Sequence, residues 1–237
     1  MERNPVRASH VPVHRVPLAR HHALIAAAIC WAIFAVLAVL VVSGRSAGVD
    51  DLGLLAFRGP SGLDLRGPEW LEVAARDMTA LGGVLLRHLF AVCALGVLAM
   101  LHLRREAVVL FVTITGGWAL DLLLKQCFAR PRPDVVPHLV AADGYSFPSG
   151  HSFNAAVVYI SLGLVFSAIS WRSPVRRTII GATIAVSLLA GISRVMLGVH
   201  YPSDVMAGWM GGAGWTFLVF GLLFRAADSQ RPHFQKR

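Results

Sequence analysis

Three short stretches of this chain combine residue types that can act on an anion. They are "KQCFARPRPD", in which Lys125 precedes Arg132-Pro133; "PSGH", from Pro148 to His151; and "SRVMLGVHYPSD", in which Arg194 is followed by His200 and Asp204. A guanidinium grips two oxygens of a tetrahedral anion in parallel, and an ammonium adds a point charge. Three such cations in one place are costly without a negative partner, and a phosphate is the natural one. The PSGH stretch opens a long apolar run, so Ser149 to His151 begin a helix. Its free backbone N–H groups and positive dipole end can face the same anion. Gly150 allows close backbone approach, and Pro202 suits the first turn of a second helix start.

The two histidines take separate tasks. His200 and Asp204 lie four apart, on one face if the turn between them is helical. A carboxylate on one ring nitrogen fixes the tautomer and leaves the other nitrogen free to attack phosphorus. His151, at the other helix start, can protonate the leaving oxygen, because an alkoxide needs a proton at neutral pH. Arginine, lysine and backbone donors carry the charge in this scheme, so neither metal nor cofactor is expected; one such donor is typically worth roughly 10²–10³ in rate. Each residue taken alone also has a structural reading. Lys125 can pair with Asp121, Arg194 suits a helix C-terminus, Ser149 is a good cap, Asp204 is a helix-start acid, and His200 can be an interfacial residue.

The elements that must deliver these residues are membrane helices. Hydrophobic residues make up 56% of the chain and charged ones 15%, with a mean hydropathy of +0.62, which excludes a soluble globule. The net charge of +9 does not indicate nucleic acid, because the basic residues form short clusters between apolar runs. Three scattered cysteines, Cys30, Cys93 and Cys127, provide neither a disulfide framework nor a metal spacing. Ala23 to Val42 holds twenty uncharged residues, enough to cross roughly 30 Å of hydrocarbon. Further spans are expected at 79–103, 107–124, 152–170, 178–198 and 205–224. Arg87 and His88 interrupt the second, free either to snorkel or to face the bundle. The fold expected is an all-α integral membrane bundle of six transmembrane helices, with a short amphipathic helix near "PEWLEVAARDM" in the first outer loop. Residues 1–22 form an N-terminal arm, 23–224 the membrane domain and 225–237 a tail.

Basic residues set the direction. Arg3, Arg7, Arg15 and Arg20, then Arg104 and Arg105, then Arg172, Arg176 and Arg177, then Arg225, Arg231, Lys236 and Arg237 all fall on one side of a six-span chain. By the positive-inside rule that side, with both termini, is cytoplasmic. The loop at 43–77 has six acids against four arginines and belongs outside. The first two clusters share the loop before the fourth span. Two more crossings return the chain to the same face for the third, so all three clusters meet outside.

At these residues the chain resembles the type 2 phosphatidic acid phosphatases, membrane lipid phosphate phosphatases related to the vanadium haloperoxidases. That family's signature is Lys, six residues, Arg-Pro; then Pro-Ser-Gly-His; then Ser-Arg, five residues, His, three residues, Asp. Here Lys125 to Arg132-Pro133, Pro148 to His151, and Ser193-Arg194 to His200 to Asp204 reproduce it in type and spacing. The resemblance implies that Lys125, Arg132, Arg194, Ser149 and Gly150 hold the phosphoryl group. It also implies that His200 forms a phosphoenzyme, Asp204 supports it, and His151 serves as acid and then helps activate water. Ser193 receives no chemistry. The function expected is hydrolysis of a lipid phosphate or diphosphate at the outer face of a bacterial cell membrane. Undecaprenyl diphosphate ranks first, followed by phosphatidic acid and phosphatidylglycerophosphate. Membrane lipid is the surroundings, and no obligatory protein partner or nucleic acid is implied. A phosphotransferase to another acceptor, or a carrier without turnover, are the competing readings; the complete His-His-Asp set disfavours the carrier.

Overall fold

The computed structural model describes residues 18–224, so most of the N-terminal arm and the tail at 225–237 lie outside the described residues. Within them the regular elements are helices, joined by loops and one isolated antiparallel bridge between Arg58 and Leu65. The helices are α1 (Arg20–Val42), α2 (Ala47–Leu55), α3 (Glu69–Gly82), α4 (Val84–Met100), α5 (Arg104–Phe128), α6 (Gly150–Ile169), α7 (Ser173–Met196) and α8 (Pro202–Leu223). Helix α6 contains a π-helical turn over Ala156–Ile160.

Among the described residues five helices, α1, α5, α6, α7 and α8, are long and apolar enough to cross a membrane, and a sixth crossing is present there if α3 and α4 count as one broken span. This corrects the continuous span expected at 79–103. The two helices meet at a 47° bend. Gly82 and Gly83 sit at the break, where glycine's low helix propensity makes a kink cheap. Helix α4 alone has 17 residues. At 1.5 Å per residue that is about 26 Å, less than the roughly 30 Å of hydrocarbon. Arg87 turns into the bundle and is buried, while His88 is exposed. The cysteines are free, and Cys127 is exposed rather than filling a core.

Helix α8 is the axis of the bundle. On one side α1 packs along it through a buried cluster of Phe34, Ala38, Phe147 and Ala207. The opposite face of α1, with Ile25, Ile29 and Val36, is exposed and suits contact with lipid, where apolar exposure carries no penalty. On its other side α8 lies against α6 so closely that a Cβ at Gly212 would fall 2.3 Å from the Phe153 carbonyl oxygen, and one at Gly208 2.7 Å from that of Ser149. Small residues permit such contact between membrane helices. It ties the start of α8 to the start of α6, where Ser149 N donates to Asp204 O at 3.0 Å. Gly212→Ala therefore pushes against backbone that cannot yield. It is expected to destabilise the protein by about 1–3 kcal/mol, read as a lowered thermal midpoint in detergent.

The segment between α1 and α4, whose role the residue pattern leaves open, is anchored by two buried charges. Asp50 of α2 accepts from Ser203 N at 2.9 Å and Ser203 Oγ at 2.7 Å. Arg58 donates to the carbonyls of Met196 (2.8 Å) and Pro137 (3.2 Å). Helix α3, longer than the short helix expected there, packs Ala75 against Met196 and Leu197 and leaves Trp70 and Val73 exposed. Arg58→Ala strands buried carbonyls and is expected to cost about 1–3 kcal/mol, with the loss seen as earlier thermal unfolding and faster proteolysis between α2 and α3.

Candidate active site

Helix α5 runs far enough to carry Lys125 in its last turn. It stops at Ala129, whose φ of +43° is left-handed, because Pro131 and Pro133 cannot continue a helix. The loop then folds back on itself: Ser146 N donates to Arg130 O, and Ser146 Oγ to Pro131 O, both at 2.8 Å. Lys125 Nζ donates to the carbonyls of Tyr145 (3.2 Å) and Pro148 (2.8 Å). Arg132 donates through Nε and Nη2 to the carbonyls of Gly144 (3.1 Å) and Asp143 (2.6 Å). Carbonyl partners hold these cations in place without neutralising them. Lys125 makes no direct ion pair with Asp121 among the described residues, although each is the other's strongest neighbouring charge; Asp121 Oδ2 accepts from Asn154 Nδ2 at 2.9 Å, and Oδ1 is buried without a hydrogen-bond partner among the described residues.

The start of α6 lies over the end of α5. Ser149 is fully buried and its Oγ accepts from Ser152 Oγ at 3.1 Å, making no side-chain cap to the helix. Its hydroxyl is thus not what occupies the first-turn N–H groups. A Cβ at Gly150 would meet Asp121 Oδ2 at 3.0 Å and Lys125 Cε at 3.2 Å, a tight fit that would require those side chains to shift. His151 is half-buried, and the charges of Arg194, Arg87 and Lys125 act on it together with His200.

The end of α7 and the start of α8 complete the cluster. Arg194 is buried in the last turn of α7. Its Nη1 donates to Thr79 Oγ1 at 2.9 Å, and its Nε has no partner among the described residues. Ser193 Oγ bonds Ala190 O at 2.8 Å within the same helix, a structural role. His200 is 2% exposed. Arg132 Nη1 donates to Val199 O at 2.9 Å and meets His200 Nε2 at 3.1 Å. A guanidinium only donates, so Nε2 accepts and the ring proton resides on Nδ1. Nδ1 faces Asp204 Oδ2 at 3.5 Å, within ion-pair reach but longer than a closed hydrogen bond. Burial first, then the charges of Arg132, Arg194 and Lys125, push the His200 imidazolium well below its usual range. The histidine is neutral.

The helical pitch expected between His200 and Asp204 is not what joins them. Helix α8 begins at Pro202, and Asp204 is its third residue, folded back to accept from Tyr201 N at 3.0 Å in a capping box. His200 sits before the helix, and the cap turns the carboxylate toward it. All eight residues singled out in the sequence come together where the ends of α5 and α7 meet the starts of α6 and α8. Among the described residues no three His, Cys, Asp or Glu side chains are grouped to hold a metal ion.

Several neighbours were not assigned from the sequence. Arg130 Nη1 donates to Asp204 Oδ1 at 2.6 Å and Ser203 Oγ at 2.8 Å, Nη2 donates to Asp50 Oδ2 at 2.9 Å, and the guanidinium lies 4.1 Å from the Tyr201 ring centroid. Burial lowers the Arg130 pKa, but Asp204 and Asp50 more than offset it and the net shift is upward; Arg132 is lowered by burial, with Asp204 and Asp143 opposing. Arg130 lies in the same loop as the first two clusters and Asp50 among the acids of the 43–77 segment, but no spacing links them to each other or to Asp204. Thr79 gave no signal.

The chain is similar to known proteins. The PAP2 superfamily matches residues 106–228, more than half of the chain. Phosphatidylglycerophosphatase B of Bacillus subtilis is 40% identical over 43% of this chain and 50% of its own length. Lipid A 1-phosphatase of Rhizobium etli is 37% identical over 52% of this chain and 55% of its own. The chain thus spans about half the length of these curated relatives. A crystal structure of a transmembrane PAP2-type phosphatidylglycerolphosphate phosphatase from Bacillus subtilis superposes with a TM-score of 0.70 at 27% identity, covering 82% of this chain and 94% of that one. With its apolar helices, its cation-lined site and these likenesses together, this integral membrane chain belongs to the PAP2 superfamily.

Proposed function

We propose that this chain is a metal-independent phosphatase that hydrolyses a lipid phosphate or diphosphate at the outer membrane face through a phosphohistidine intermediate. The observation that carries the reading is the orientation of the His200 ring, with Nε2 toward Arg132 and Nδ1 toward the buried Asp204 carboxylate. Burial and the adjacent cations favour the neutral ring, and its Nε2 lone pair faces Arg132, where a phosphoryl group would be drawn. In the first step Arg132 exchanges Nε2 for a phosphoryl oxygen, Nε2 bonds to phosphorus, and the ester P–O bond breaks as His151 gives its proton to the leaving oxygen. In the second, His151 takes a proton from water, the hydroxide bonds to phosphorus, and the P–N bond breaks to return His200. Lys125, Arg132, Arg194 and the N–H groups following Ser149 and Gly150 hold the three non-bridging oxygens, and Asp204 stabilises the charge that forms on the ring.

Relatives named for phosphatidylglycerophosphate and lipid A support a phosphorylated membrane lipid as the substrate class. Phosphatidic acid, phosphatidylglycerophosphate and undecaprenyl diphosphate all present the terminal phosphoryl group that the site would bind. Purified protein in detergent with EDTA, offered this panel beside a soluble sugar phosphate, is expected to release phosphate from one or more of the lipids at a rate the chelator does not change. Release from none, or release only after a divalent metal is restored, overturns the reading. Because His200 is held neutral by burial and neighbouring cations, its protonation does not limit kcat until well below pH 6.5, the ordinary imidazole midpoint. A pH profile with its acid limb at or above that value argues against His200 as the group that must stay unprotonated.

The orientation follows from the arginine bias and the crossing number. If α3 and α4 together form one crossing, both termini are cytoplasmic and the site is outside. A reporter fused after the tail is then expected to be active in the cytoplasm. An extracytoplasmic signal would mean five crossings or an inverted bundle, and would overturn the outside placement of the site.

A further inference from the structure

Asp50 and Arg130 have no part in the steps above, yet Arg130 touches the Asp204 carboxylate on which they depend. We infer that Arg130 is a positioning residue for His200: its guanidinium keeps the Asp204 carboxylate charged, with Oδ2 turned to the ring, and so keeps the ring proton on Nδ1. The consequence for rate rests on the proposed function; the geometry does not.

Asp204 is fully buried at the first turn of α8, where a carboxylate lacking a cation would rather take a proton than remain charged. Its Oδ1 receives Arg130 Nη1 at 2.6 Å, and its Oδ2 receives Tyr201 N at 3.0 Å while facing His200 Nδ1 at 3.5 Å. Of these donors only Arg130 brings a full positive charge into direct contact. Arg130 is itself immobilised. Asp50 holds Nη2, Ser203 Oγ accepts from Nη1, and the Tyr201 ring lies beneath the guanidinium, a cation–π contact. Asp50 in turn is fixed by Ser203 N and Oγ. The charged and titratable groups around Asp204 are therefore Arg130 and Asp50, the more distant Lys125 and Arg132, and its own neighbours His200 and Tyr201. A neutral side chain at 130 lets Asp204 bind a proton at higher pH. The carboxyl then offers Nδ1–H only a weaker, uncharged acceptor, and the ring proton can move to Nε2 as Arg132 turns wholly to its carbonyl partners of Val199, Gly144 and Asp143; there the proton blocks attack.

The test uses the full chain in detergent with ¹⁵N-labelled histidine, as wild type, Arg130→Gln and Arg130→Lys; loss of a signal in His200→Gln assigns the ring. Wild type is expected to show a neutral, Nδ1-protonated His200. Arg130→Gln is expected to show the Nε2-protonated form, with kcat lower by on the order of 10²-fold or more, KM nearly unchanged, and the acid limb of kcat moved to higher pH. Arg130→Lys, which restores charge but reaches one carboxylate only, should recover the wild-type tautomer and part of the shift, and it carries the comparison if the glutamine variant does not fold. A tautomer and an acid limb that stay at their wild-type values in both variants overturn the inference, whatever happens to total activity. If the tautomer shifts while wild type releases no phosphate from any lipid, the hydrolase reading fails and the role of Arg130 stands.

Discussion

His200→Ala is expected to lower phosphate release from the preferred lipid by at least about 10⁴-fold, because removing a nucleophile leaves only binding and charge stabilisation to act on water. The same variant should yield no acid-labile, base-stable phosphoprotein when turnover of ³²P-labelled substrate is quenched in alkali, whereas wild type gives a burst of label that peptide mapping places on residue 200. The variant should still bind. Lys125, Arg132 and Arg194 are braced by Tyr145, Pro148, Gly144, Asp143, Val199 and Thr79, with no contribution from the imidazole to any of those bonds. Substrate affinity measured directly is therefore expected to stay within a few-fold of wild type. Substantial turnover by His200→Ala, or label on another residue, would assign the nucleophile elsewhere.

The second large effect concerns His151 and depends on the leaving group. A general acid contributes typically 10²–10⁴-fold where the departing oxygen is a strong base. His151→Ala is expected to lose about that much on an alkyl ester such as phosphatidic acid. It should lose far less in the first step on an aryl phosphate, whose phenolate departs without a proton. The variant also lacks the base for the second step, so with the aryl substrate the phosphoenzyme should accumulate and the initial burst of phenolate should persist while the steady state slows. Equal losses on both substrates, with no accumulated intermediate, would mean that His151 only shapes the pocket.

The two substitutions separate roles that the fold keeps close together. His200 precedes α8 and is almost wholly enclosed, which suits a group that must stay neutral and fixed. His151 begins α6 and keeps some exposure, which suits a group that must exchange protons with water. Their placement comes from the close contact of α8 with α6 near Gly208 and Gly212, so the stability change predicted for Gly212→Ala and the catalytic changes predicted here have a common origin.

Much of this protein could be read along the chain. Apolar run lengths determined five of the crossings to within a few residues, and proline and serine marked the starts of α6 and α8. Residue types at short spacing picked out side chains that the structure gathers where α5 and α7 end and α6 and α8 begin, and alternation of crossings had placed them at one end of the bundle. Such features are local: hydropathy, helix breaking and rotamer reach depend on a residue and its near neighbours. The tertiary structure decided the rest. The bend at Gly83 divides an apolar stretch that looked continuous, and a capping box joins His200 to Asp204 where helical pitch was expected. Arg132 lies on Nε2, Arg194 on Thr79, and Asp50 reaches Ser203 across 153 positions of sequence and Arg130 across 80. A buried ion's partner is whichever opposite charge the packed helices bring within about 3 Å, and neither charge carries a periodicity that names the other.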